Sequence, residues 1–207
     1  MLVQAKVVPA DLKINWSMEY RKDNRMEKWL LQIDHTTAEF KRLCGSLSTE
    51  ELNWKPRPDT WSIAQNLDHL IVINQSYFPI LSQLNSGSYK PPFLGRFGFI
   101  VDFLGKTILN SVTPDRKKKM KTFPIWEPAK SELPAGLLDR FSDHQHELKQ
   151  WVEDSTEFIR YGAVISSPAN KNIVYKLETA FDIIISHEKR HLEQSKEVIG
   201  LLQKLSP

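Results

Sequence analysis

His187 and His191 stand four residues apart in a segment whose apolar residues recur with a helical period. At about 100° per residue, with Leu177 as zero, His191 falls at about −40° and His187 at about −80°. That is the side carrying Ile184, Ala180 and Val198, so both imidazoles point with the core side chains. Neighbours at i and i+4 have their Cβ atoms roughly 6 Å apart. Two rings at that separation can bind one metal ion at about 2.0–2.1 Å each. Glu188 and Ser195 extend the polar patch on this side. A second segment offers His69, about −120° from Ile63 and at the rim of its apolar arc. A third offers His144, squarely on an apolar face. His35 and His146 fall on polar faces.

Other chemistries fit these residues less well. A single histidine on an apolar face is more often a hydrogen-bonded core residue than a ligand, but an inward pair plus a third inward candidate favours metal. His187-Glu188-Lys189-Arg190-His191 matches H-E-x-x-H, in which two histidines bind zinc and the glutamate is a general base. A zinc protease also needs a third ligand downstream. Sixteen residues follow His191; none is His, and Glu193 and Glu197 lie on the same helix. The third ligand must come from upstream, which points back to His69. Cys44, the sole cysteine, has no histidine close in sequence and reads as a buried structural thiol. Trp54, Trp61 and Trp151 read as core or pocket-wall residues.

Four segments must position these groups. Helical periodicity covers about residues 23–44, 62–85, 132–159 and 172–205. Ser62 and Gln65 form a capping box at the start of the second, Ser131 is a candidate cap for the third, and Pro134 is tolerable only in a first turn. No strand-hairpin pattern competes with the four. Residues 88–130 form a long proline-containing connection with a short apolar stretch at 97–110 and a basic run at 116–121. The pattern predicts an all-α fold: a four-helix bundle with one long crossover between the second and third helices, a single domain over 1–207.

Composition bounds the rest. The 207 residues are 41% hydrophobic and 26% charged, as in ordinary globular chains. The net charge of +3 is too balanced to argue for nucleic acid, and the basic run reads as a solvated loop. One cysteine fits a reducing compartment. Residues 1–10 lack the shape of a signal peptide, and no apolar run approaches the roughly 18 residues needed to span a bilayer. A soluble cytoplasmic protein with no membrane partner is expected.

Two stretches carry a family resemblance. Leu52-Asn53-Trp54-Lys55-Pro56 followed by Trp61-Ser62-Ile63-Ala64-Gln65-Asn66-Leu67-Asp68-His69-Leu70 resembles the start of the second helix in the DinB/YfiT-like superfamily. His187-Glu188-Lys189-Arg190-His191-Leu192-Glu193-Gln194 resembles its fourth-helix motif. The resemblance implies a four-helix bundle holding one divalent metal, with nickel, zinc, iron and manganese all suitable. The implied ligands are His69, His187 and His191. It further implies a metal-dependent hydrolase, or a transferase moving a low-molecular-weight thiol onto a small-molecule substrate, and a homodimer. Such a site keeps an open position, where zinc lowers the pKa of water to about 7 or a thiolate is favoured. The alternative is a non-catalytic bundle with a structural or sensory metal, its site closed by His144 as a fourth ligand. No catalytic residue is assignable from the sequence.

Overall fold

The computed structural model describes residues 10–115, 122–129 and 132–204, and of residues 10–23 the backbone alone. Most of this chain is helical, with one small antiparallel sheet. The basic run at 116–121 and the candidate cap Ser131 lie outside the described residues.

The first predicted stripe lies on α1 (Ala10–Cys44), where Trp29, Ile33, Phe40 and Cys44 are buried. A short α2 (Thr49–Asn53) follows in the linker. The second predicted helix is divided into α3 (Ile63–Gln75) and α4 (Phe78–Asn85). The division follows from Pro79, whose ring would clash with the carbonyl four residues back, at Gln75, where α3 ends. The predicted capping box is present: the Gln65 N–H donates to Ser62 Oγ at 3.1 Å and the Ser62 N–H to Gln65 Oε1 at 3.3 Å.

The stretch expected to hold a short packed helix becomes α5 (Gly98–Val112). A 3₁₀ turn, Pro124–Trp126, follows in the returning crossover. The third predicted helix starts late, as α6 (Leu137–Asp154), and continues as a separate turn, α7 (Thr156–Arg160). Gly136, at φ 79°, sets the left-handed entry to α6, so Pro134 lies before the helix and not in its first turn.

The all-α expectation fails at one place. Residues 172–176, read above as the start of the fourth helix, are strand: β1 (Val164–Ser167) pairs antiparallel with β2 (Asn170–Lys176). Only then does α8 (Leu177–Gln203) begin. The hairpin buries Ile165, Val174 and Tyr175, residue types that suit a pleated, half-buried surface. The Tyr175 hydroxyl meets the Tyr77 hydroxyl at 2.8 Å, so the strand is tied to the junction of α3 and α4. A run this short, continuous with a strong helical stripe, is masked in the sequence.

Both α1 and α3 pack against α6 and α8. One apolar cluster gathers Trp29, Leu148, Tyr175 and Phe181, and another gathers Phe40, Leu67, Phe141 and Leu192. Along one side, α5 packs on α8 and β2. Gly105 permits that approach, since a Cβ there would lie 3.1 Å from both Tyr175 Cβ and Thr179 Cγ2. Among the described residues no helix is long and apolar enough to cross a membrane.

Candidate metal centre

His69 comes from α3, and His187 and His191 come from successive turns of α8. The packing of α3 on α8 brings them together, with their ligand atoms all within 4.8 Å of one another. His187 Nε2 lies 3.4 Å from His69 Nε2 and 3.0 Å from His191 Nε2. All three residues are buried. His69, which the helical projection puts at a rim, is only 1% exposed. The returning crossover covers it: Trp126 lies against it, and the next residues are pinned to α3. Gln65 Nε2 donates to the Ala129 carbonyl at 2.8 Å.

The outer nitrogens set the tautomers. His69 Nδ1 is 2.6 Å from the Trp126 carbonyl oxygen, which can only accept, so this nitrogen carries the proton. His191 Nδ1 is 2.6 Å from Asn66 Oδ1. The orientation of that amide follows from its other end, where Nδ2 donates to the Ser62 carbonyl at 2.8 Å. His191 therefore also carries its proton on Nδ1. Two Nε2 lone pairs then converge on His187 Nε2, which can donate to one of them and repels the other. The His187 Nδ1 has no hydrogen-bond partner.

A cation resolves that repulsion, and the spacing suits one. Nitrogens held about 2.0–2.1 Å from one ion at angles between octahedral and tetrahedral lie about 2.8–3.4 Å apart. Both Nε2 separations from His187 fall in that interval. Electrostatics point the same way. Burial pushes the His187 and His191 pKa values well below the usual histidine range, and neighbouring imidazoles and Arg190 add to it. Burial also lowers His69, against the opposing pull of its Trp126 hydrogen bond and of Asp68. All three favour the neutral form that a metal requires.

The remaining sequence candidates disperse. His144 is buried on α6 but stands outside the three-histidine group, stacked on Phe78 at 5.6 Å between ring centroids. Glu188 is fully buried and turned toward α3 and α6, where its Oε1 accepts from Asn74 Nδ2 at 2.8 Å and Gln145 Nε2 at 2.9 Å. It is not aimed at the histidines as the base of a zinc protease must be. Burial raises its pKa to about 7. The Ser195 hydroxyl is buried without a hydrogen-bond partner. Cys44 is buried, as expected. His35, His146, Glu193 and Glu197 are exposed. Trp61 is a wall of the site, its ring 4.8 Å from that of His69 and nearly parallel to that of His191 at 5.7 Å. Two functional groups escaped the sequence reading. Asn66 was legible in principle, as a polar residue three positions before His69 on the same helix. The Trp126 carbonyl was not, because a backbone group carries no sequence signal.

A family model described as DinB superfamily matches residues 32–195. The chain belongs to the DinB superfamily. The matched region of this DinB-superfamily chain contains His69, His187 and His191 together with Asn66 and Trp126. It is also 28% identical over 152 residues to the uncharacterized protein YuaE of Bacillus subtilis (strain 168), covering 73% of this chain and 85% of that protein. No solved structure matches it.

Proposed function

We propose that this DinB-superfamily chain binds one divalent metal ion through His69, His187 and His191 and acts on a small molecule as a hydrolase or thiol transferase. The observation that carries the reading is the convergence of three Nε2 atoms, with the outer nitrogens of His69 and His191 held by neutral acceptors. The four long helices α1, α3, α6 and α8 would form the four-helix bundle of a single domain, with residues 88–130 as its crossover. Nickel, zinc, iron and manganese all suit an imidazole site.

The metal, when bound, supplies Lewis acidity at an open position and so acidifies water or a thiol there. The chain's own residues do the rest. Trp126 and Asn66 keep the protons of His69 and His191 on the outer nitrogens and aim the inner ones at a common point. Trp61 walls the site with an aromatic face and limits the water that reaches it. Asn74 and Gln145 hold the Glu188 carboxyl away from the ligands, which removes the side chain a protease would use as its base. His144 remaining with Phe78 favours an open site over one closed by a fourth ligand. A low-molecular-weight thiol is a fitting co-substrate for such a position.

The test is metal content by mass spectrometry on the purified protein and on His69→Ala, His187→Ala and His191→Ala, with helicity followed by circular dichroism. The expected result is one equivalent in the wild type, lost in each variant while the helices persist. Stoichiometric metal retained in any of the three overturns the ligand set. Screening of the loaded protein with esters, amides and thiol–electrophile pairs then separates hydrolase from transferase, and failure on all of them favours a structural or sensory metal.

A further inference from the structure

The outward side of α5 is unlike the rest of the surface. At about 100° per residue, Phe103, Lys106 and Asn110 all fall within about 40° of Phe99, while Val101, Gly105 and Ile108 lie opposite. The latter side packs on α8 and β2. The former leaves Phe99 75% and Phe103 69% exposed. The 3₁₀ turn just before α5 adds Phe93 at 67% and Phe97 at 39%. The rings are continuous, with centroids 5.7 Å apart for Phe93 and Phe97 and 6.4 Å for Phe97 and Phe99. Four of the chain's ten phenylalanines thus lie together on the outside within eleven residues. Large exposed apolar patches of this kind mark an interaction surface.

Charge identifies the occupant. Exposed Lys90, Arg96 and Lys106 border the rings, with Arg96 stacked over Phe93 at 5.5 Å. The one acid on this side of the helix, Asp102, is paired with Lys176 at 3.1 Å. A symmetric contact between two copies at this face would set Lys90, Arg96 and Lys106 against their own counterparts. A nucleic acid would meet the charge, but Phe99 and Phe103 stand on the outward side of a single helix and not in a groove of the kind in which bases stack. Phenylalanine tips ringed by cations suit an anionic bilayer, where apolar side chains enter the interface and lysines meet headgroups.

We propose that the face formed by Phe93, Phe97, Phe99 and Phe103 docks on an anionic phospholipid bilayer. No spanning segment is needed for this, so the absence of an apolar run long enough to cross a membrane does not bear on it. The packing of α5 across Gly105 holds the rings in place on the body of the protein.

The test is co-sedimentation of the full chain with vesicles of phosphatidylcholine alone, or mixed about equally with phosphatidylglycerol, at low and high salt. The wild type is expected to bind the anionic vesicles and to be released by salt. Phe99→Ser with Phe103→Ser is expected to weaken partitioning about tenfold or more. The triple variant Lys90→Gln, Arg96→Gln, Lys106→Gln is expected to weaken it about a hundredfold at low salt, at about fivefold per charge. All five side chains are exposed, and unchanged thermal unfolding verifies that the variants fold. Absence of wild-type binding to anionic vesicles overturns the proposal, as does equal binding by the double phenylalanine variant. Two other results also overturn it: a wild-type dimer that the double variant converts to monomer without vesicle binding, or binding of single-stranded DNA in place of vesicles.

Discussion

Asn66 is the side chain whose removal separates ligand orientation from ligand identity. In Asn66→Ala the His191 ring stays, but its Nδ1–H loses its acceptor at 2.6 Å in a site where His191 is only 5% exposed. A buried donor left without a partner costs about 1–3 kcal/mol, and the metal-free protein should be destabilised by that amount in urea unfolding. Metal binding should suffer separately. Loss of the outer partner of a ligating imidazole typically weakens affinity about 10–100-fold, equivalent to about 1.4–2.7 kcal/mol. Competition against a chromophoric chelator with nickel and zinc reads this directly. Asn66→Asp keeps an acceptor for the imidazole but gives up the donor to the Ser62 carbonyl, so it should recover affinity more fully than stability. If Asn66→Ala binds metal as tightly as the wild type while losing stability, the contact only holds the fold, and the tautomer argument is wrong.

Three further outcomes follow from buried groups elsewhere. Burial holds His144 down to about 4, against 6.5 for an unperturbed histidine. The unfolded chain therefore takes up its proton first. Stability that is full above pH 6.5 should fall by about 3 kcal/mol as the pH drops toward 4, and urea midpoints of wild type minus His144→Phe should isolate that slope from the other histidines. Gly105→Val puts carbon where Tyr175 Cβ and Thr179 Cγ2 already stand 3.1 Å from the Cβ position, and should cost about 1–3 kcal/mol with earlier proteolysis around α5. Burial pushes the Cys44 thiol up to about 12, so a thiol-specific chromogenic disulfide should leave the native protein unlabelled at neutral pH and react only on unfolding.

The i, i+4 pair His187 and His191 was legible because both lie on one long, strongly periodic helix, where spacing alone fixes direction. The capping box at Ser62 and Gln65 was legible for the same reason: its partners are three residues apart. Periodicity also located most of the buried face of α1, α3, α6 and α8. It failed where the chain changes regime over a few residues. The break at Ser76 and Tyr77 depends on one proline acting four residues back. The strand ending at Lys176 runs straight into the helical stripe of α8 and is seen as part of it.

What the residues determine by themselves is therefore local: which helices exist, which side of each is apolar, and that histidines lie on those sides. Which histidines meet is a property of packing. On their own helices His144 stood squarely on an apolar face and His69 only at the rim of one. The contact of α3 with α8 brings His69 to His187 and His191, while His144 is left against Phe78. The burial of His69 and the position of its proton depend on Trp126, fifty-seven residues away, whose backbone oxygen reaches it only because the crossover folds back over α3. A helical projection describes directions around one axis. The distance between nitrogens on two axes, and the carbonyl that closes over one of them, exist only once the helices have docked.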